Sequence, residues 1–204
     1  MVNAKFLFAA VAGLASAAPA AEKRTDNGVH VVHSFEDASK LPLVTLTTAD
    51  KYKGLHYKGF FYVDAGVGGL LLTGIRPHSP NTVVTTGDLQ TLVAGSPEIN
   101  IDGTDTKSFD FESFWFGCSA NTAAVAVTGV PQGCTVTVTG YDTDGQVAGV
   151  QSFDYVPTGL KDDMTQAVLG DGFCGLSRVE FNTKSALRPV IANLMDDLSF
   201  TLYN

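Results

Sequence analysis

Apolar and polar residues alternate with period two through most of the second half of the chain. Cys134 to Tyr141 reads Cys-Thr-Val-Thr-Val-Thr-Gly-Tyr, the pattern of a half-buried strand. Asp142-Thr-Asp-Gly145 follows as a hairpin turn, because Asp-Gly tolerates the positive φ of a tight turn, and Gln146 to Tyr155 returns. Ser108 to Gly117 alternates as well. Strict alternation puts Phe109, Phe111, Ser113 and Trp115 on one face and Asp110, Glu112, Phe114 and Phe116 on the other. Further strands are predicted over 29–35, 43–48, 56–63, 82–86, 123–128, 175–182 and 194–203, with a short one at 70–72. Residues 65–103, with Pro77, Pro80 and Pro97, read as long loops joining short strands. The one helical candidate is short, 162–169.

Strands recurring every dozen residues or so, with turn chemistry between them, predict an all-β fold, an antiparallel β-sandwich of jelly-roll type. Composition agrees: 21 Gly and 13 Phe accompany abundant Val and Thr in 204 residues. Apolar residues make up 45% and charged ones 17%, which excludes a disordered acidic tail and a coiled coil. The length fits one domain. With 13 Lys+Arg against 21 Asp+Glu, the chain lacks the positive surplus that neutralises phosphates, so no nucleic-acid partner is expected.

The first residues carry a targeting pattern. Lys5 precedes ten apolar residues, Phe6 to Ala15, too few to span a bilayer, and Ala15-Ser16-Ala17 supplies small residues for cleavage. The expected organisation is a signal peptide over 1–17, a short propeptide over 18–24 ending in Lys23-Arg24, and a single domain over 25–204. Loss of Lys5, Glu22, Lys23 and Arg24 would take the net charge from −8 to −10. The product is expected to be extracellular and monomeric, with no membrane partner. It has no Asn-x-Ser/Thr sequon.

Catalytic signatures are lacking. His30, His33, His56 and His78 have no metal-motif neighbours, and there is no Gly-x-Ser-x-Gly. The glycine-rich run 66–74 lacks a phosphate-loop lysine. Asp110 and Glu112 are about 7 Å apart by strand rise, and such a pair could in principle serve a glycosidase. A solvated sheet face is the simpler account of it. No catalytic residue is assigned and no organic cofactor is expected.

Several stretches carry a resemblance: Ser34-Phe35-Glu36-Asp37, 52–57, Phe109 to Cys118, Cys134 to Tyr141, Phe173 to Phe181, and Leu194 to Phe200 with Asp196-Asp197. Together they resemble a family of small fungal secreted proteins with a carbohydrate-binding-module-like, or galactose-binding-like, β-sandwich. The resemblance implies a non-catalytic sandwich whose two chain ends lie side by side and share a structural calcium ion. It also implies glycan binding through exposed aromatics that stack on pyranose faces. Trp115, Tyr141, Tyr57 and Tyr62 are the candidates. Cell-wall or host glycans are the expected ligands. The alternatives are a secreted effector-type protein with a protein partner and no sugar ligand, and a small polysaccharide hydrolase or lyase.

Two expectations concern covalent and ionic links. A secreted chain favours oxidation, and Cys118 and Cys134 stand at strand ends, so they are predicted to pair, leaving Cys174 over. Glu36 and Asp37 near one end, and Asp196 and Asp197 near the other, would crowd four carboxylates if the first and last strands meet. A calcium ion would relieve that repulsion. Strand parity favours Asp196 over Asp197 and leaves Glu36 and Asp37 open.

Overall fold

The structure is a computed structural model that describes residues 27–38, 47–65, 74–87, 96–120, 129–185 and 191–204. The targeting and processing segment, the strands expected at 70–72 and 123–128, and the first part of the one at 43–48 lie outside these residues.

The strands are β1 (Val29–His33), β2 (Thr47–Thr48), β3 (Lys51–Tyr52), β4 (Leu55–Lys58), β5 (Phe61–Asp64), β6 (Ile75–Arg76), β7 (Thr82–Gly87) and β8 (Glu98–Asn100). They continue with β9 (Ser108–Ala120), β10 (Val130–Pro131), β11 (Cys134–Asp142), β12 (Val147–Tyr155), β13 (Asp162–Asp163), β14 (Thr165–Val168), β15 (Leu176–Lys184) and β16 (Ile191–Tyr203). Among the described residues one 3-10 turn, Asp171–Phe173, interrupts them. The predicted strand over 56–63 is cut in two at Gly59, whose φ of 77° turns the chain between β4 and β5. The predicted helix over 162–169 is instead β13 and β14. Thr165 to Val168 pair antiparallel with Phe116 to Ser113, so sheet pairing overrides local preference there.

Among the described residues all but one pairing is antiparallel, the exception being β6 with β13. The ladder runs β2-β5-β7-β16-β9, crosses to β15 through the single pair Leu176 and Phe109, and continues to β8-β4-β3, with β11 and β12 beyond β15. The sheet thus curls at the β9–β15 crossing into a β-sandwich. Phe181 on β15 meets Phe111 and Phe114 on β9 at 6.1 and 5.8 Å, and Phe153 on β12 meets Phe114 at 5.8 Å. These rings touch although their strands do not pair at those positions, which is how two stacked sheet faces interlock.

Strict alternation fails in β9, and the sheet shows why. Trp115 pairs with Asp196, Ser113 with Ser199 and Phe111 with Phe200. Asp197 and Leu198 therefore stand opposite Phe114 alone, one residue in excess on β16, which Glu112 on β9 offsets, and Asp197 sits at φ 43°. Two compensating bulges switch the parity of β9. Phe109, Phe111, Phe114 and Phe116 all enter the core, contrary to the two-face assignment, and only Glu112 of this stretch is exposed.

The core includes a histidine. His33 is buried among Phe35, Tyr52, Tyr57 and Phe200, with Nδ1 2.6 Å from the Tyr57 hydroxyl and Nε2 unpartnered. Burial, aided by the charge of Lys53, lowers its pKa to about 3. The unfolded chain therefore binds a proton at His33 below about pH 6.5 that the fold refuses. The stability this group confers is complete above pH 6.5 and lost as pH falls toward 3. Relative to a His33→Gln variant, the wild type is expected to lose about 1.4 kcal/mol per pH unit in that window. Urea titrations of both proteins from pH 7 to pH 4 check this. A stability difference that does not change with pH contradicts it.

Candidate binding face and acidic junction

β1 and β7 share one edge of β16. β1 pairs with Leu198 to Leu202 and β7 with Ala192 to Met195. The gap between them falls at the Asp196-Asp197 bulge, where the chain leaves β1 through Ser34–Asp37 and enters β7 through Pro77–Asn81. The first and last described strands therefore do meet. Asp196 is fully buried and accepts hydrogen bonds from the Ser79 amide (2.6 Å), the Ser79 hydroxyl (2.8 and 2.9 Å) and the Asp197 amide (2.8 Å). Glu36 accepts from the amides of Asn81 (2.9 Å) and Thr82 (2.6 Å) and from the Asn81 side chain (3.2 Å). Burial raises the Asp196 pKa to about 6 against the lowering effect of the Ser79 bonds.

Only one residue of each acidic pair joins this junction. Asp37 instead accepts from the Tyr52 hydroxyl and lies 3.4 Å from Lys53 Nζ; the Tyr52 bond leads in holding its pKa below the usual range. Asp197 turns to His78 Nδ1 at 2.6 Å, and the His78 ring stacks on Trp115 at 3.8 Å. The four-carboxylate picture thus reduces to Glu36 and Asp196, and among the described residues no three His, Cys, Asp or Glu converge on a metal position. What remains contains only oxygen. Ser79 Oγ lies within 3.4 Å of Ser34 O, Glu36 Oε1 and both Asp196 oxygens. One hydroxyl has one proton to offer four acceptors. Two carboxylates, a hydroxyl and a backbone carbonyl are the hard donors that calcium takes, so the reduced set fits that ion in kind.

The second region is a sheet face. Residues paired across strands share a face, so Tyr141, Arg178, Asn100, His56 and Lys51 form one row across β11, β15, β8, β4 and β3. Thr139, Glu180, Glu98 and Lys58 form the next. The alternate residues Val136, Val138, Val179, Phe181, Ile99, Leu55 and Tyr57 belong to the core. Alternation thus builds a continuous polar surface on an apolar floor. Arg178 lies over the Tyr141 ring at 4.0 Å and binds Glu180 (2.9 Å) and Glu98 (3.4 Å). Glu98 also receives Lys58 (3.2 Å) and the Asn100 side-chain Nδ2 (2.9 Å), and the Tyr141 hydroxyl donates to Glu180 (3.0 Å). His56 joins Asn100 at 3.2 Å and Asp50 at 3.3 Å. Burial first, then the Glu180 contact, raises the Tyr141 pKa, so the phenol stays protonated.

The four aromatic candidates do not form one row. Tyr57 has no exposed surface and its ring is core, so it offers no stacking platform. Tyr62 packs against Phe35 and Tyr52, and burial pushes its pKa up to about 12. One face of Trp115 is occupied by His78. Tyr141 alone belongs to the polar face, beside Arg178, Asn100, Glu98 and His56, which sequence reading passed over. The signal was the row register, which follows only from strand pairing. The Asp110 and Glu112 pair divides: Asp110 is buried and accepts from Gly175 N and Tyr203 OH, while Glu112 is exposed and takes Ser199 and Thr201. Burial opposes ionisation of Glu112, but those hydroxyls and His30 outweigh it and hold its pKa below the usual range, the wrong direction for a general acid.

No family model and no curated protein matches this sequence. Among solved structures, a DUF4465 family protein from Bacteroides caccae shares 13% identity at a TM-score of 0.57, over 86% of this chain and all of that one. At that identity the likeness is one of fold. An exo-beta-agarase (11% identity, TM-score 0.36, 78% of this chain and 24% of that one) shows a weaker likeness, as does the enzymatically active domain of bacteriophage CBA120 tailspike protein 4 (13%, 0.32, 76% and 20%). Neither of these two bears on the argument.

Proposed function

We propose that this is a secreted, non-catalytic binding protein that holds extracellular glycans on the polar face of β11, β15, β8 and β4. The observation that carries this reading is the pair of rows around Tyr141 and Arg178. They set donors and acceptors side by side at strand spacing, with an aromatic ring among them, and the exposed Val147 and Val150 continue the same rows at the β12 margin. Sugars present hydroxyls that both donate and accept, and such a face can meet them without burying an unmatched group. Secretion is supported by the N-terminal pattern and the Cys118–Cys134 disulfide. Among the described residues no helix is long and apolar enough to cross a membrane. A glycan array probed with the protein tests the reading, with Arg178→Ala as control. Retention of cell-wall or host glycans that weakens in the variant is expected. No retention of any glycan contradicts it. The second reading, a protein partner and no sugar, takes its support from the exposed Val147, Val150 and Val168.

We further propose that calcium stabilises the junction, with Glu36 and Asp196 as its carboxylate ligands. An ion that binds only the folded state adds about 2.7 kcal/mol at 100 times its Kd. A thermal melt with calcium is therefore expected to lie several degrees above one with chelator, and Asp196→Asn to abolish the difference. Coincident melts of the wild type contradict the ion.

A further inference from the structure

We infer, resting on the glycan-binding reading of the polar face, that its ligand is an uncharged polyhydroxylated chain rather than an acidic or cationic one. The central charges of the face are already matched to one another. Glu98 lies between Lys58 and Arg178, Glu180 is shared by Arg178 and the Tyr141 hydroxyl, and His56 stands against Asp50. Glu98 is 8% exposed and Asn100 3%, so this network is largely withdrawn from water even though it belongs to the outer face.

An acidic sugar would need a cation. Taking Arg178 or Lys58 from Glu98 would strip this buried carboxylate of one of its two cations, and a ligand carboxylate sharing Lys58 would stand beside it as a like charge; both are costly. A cationic sugar would need a carboxylate, but both oxygens of Glu98 and of Glu180 already accept internal hydrogen bonds. A neutral hydroxyl needs neither. It can accept from the spare N–H groups of Lys58, whose side chain is half exposed, and donate to the Tyr141 oxygen, with every internal pair intact. The marginal lysines do not alter this balance. Lys51 Nζ donates to the Gly103 carbonyl, and Lys184 shares its row with Thr135 and Asp154. The net charge of −8 repels polyanions further.

Matched polymers separate the possibilities: hydroxyethylcellulose against carboxymethylcellulose, and methyl-esterified against de-esterified homogalacturonan. Affinity electrophoresis at low and high salt reads the binding. The expected result is retardation by a neutral member, unchanged by salt, with its carboxylated counterpart at least about tenfold weaker. Glu98→Gln releases a cation, so it is expected to shift preference toward the carboxylated member; Glu180→Gln serves if that variant does not fold. Equal binding of both members, or tighter salt-sensitive binding of the acidic one, overturns neutrality and leaves the glycan reading standing. Binding to neither member of any pair, together with a blank glycan array, overturns the glycan reading itself.

Discussion

Phe181→Ala is expected to lower the free energy of unfolding by about 3–5 kcal/mol. The ring is 2% exposed and meets Phe60, Phe111 and Phe114 at 5.7 to 6.1 Å. Those rings come from β9, on the opposite side of the sandwich from β15, and from the β4–β5 connection, which joins the two sides. Removing Phe181 opens a cavity where the two halves of the curled sheet interlock, and neighbours held on paired strands can close it only in part. Urea unfolding checks the value through the transition midpoint, with the slope unchanged. A loss below about 1 kcal/mol, typical of a half-exposed position, would mean that the two faces do not pack as described.

Loss of the disulfide ranks with it. Cys118 on β9 and Cys134 on β11 are bonded, with Cα atoms 6.2 Å apart and a sequence separation of 16. The bond ties β9 on one side of the sandwich to β11 on the other, beside the β9–β10 pairing. A loop of this size is worth about 3 kcal/mol through the entropy it removes from the unfolded chain. The double variant Cys118→Ala with Cys134→Ala is expected to lose about that much, and the wild type to lose the same in reductant. Unequal losses would indicate that the alanines perturb packing. No loss in either would contradict a native bond.

Much of the fold was legible because alternation reports burial directly. The stretches 134–141, 146–155 and 194–203 became β11, β12 and most of β16, and the Asp-Gly turn has Gly145 at φ 77° with the Asp142 carboxylate accepting from Asp144 N and Gln146 N. Cys118 and Cys134 paired as expected. Alternation misled in β9, since compensating bulges depend on the partner strand and leave no mark on a single sequence. The short strands β3, β8 and β14 exist through their neighbours: Glu98 to Asn100 is held between β4 and β15. The meeting of Glu36 with Asp196 was legible in outline from the clustering of charge at both ends. That Ser79 lies between them, and that Asp37 and Asp197 turn away to Tyr52 and His78, follows from a loop whose path the sequence does not reveal. The polar face was illegible for a similar reason, because its rows join residues as far apart as His56 and Tyr141.

Backbone amide NMR on the labelled protein, titrated with a neutral oligosaccharide that the glycan array selects, tests the central claim most directly. Shifts are predicted to concentrate on Tyr141, Arg178, Glu180, Asn100, Glu98 and His56 across β11, β15, β8 and β4, and to vanish in Arg178→Ala. Shifts confined to the neighbourhood of Trp115 and His78, or a spectrum that no glycan moves, would contradict a binding role for this face.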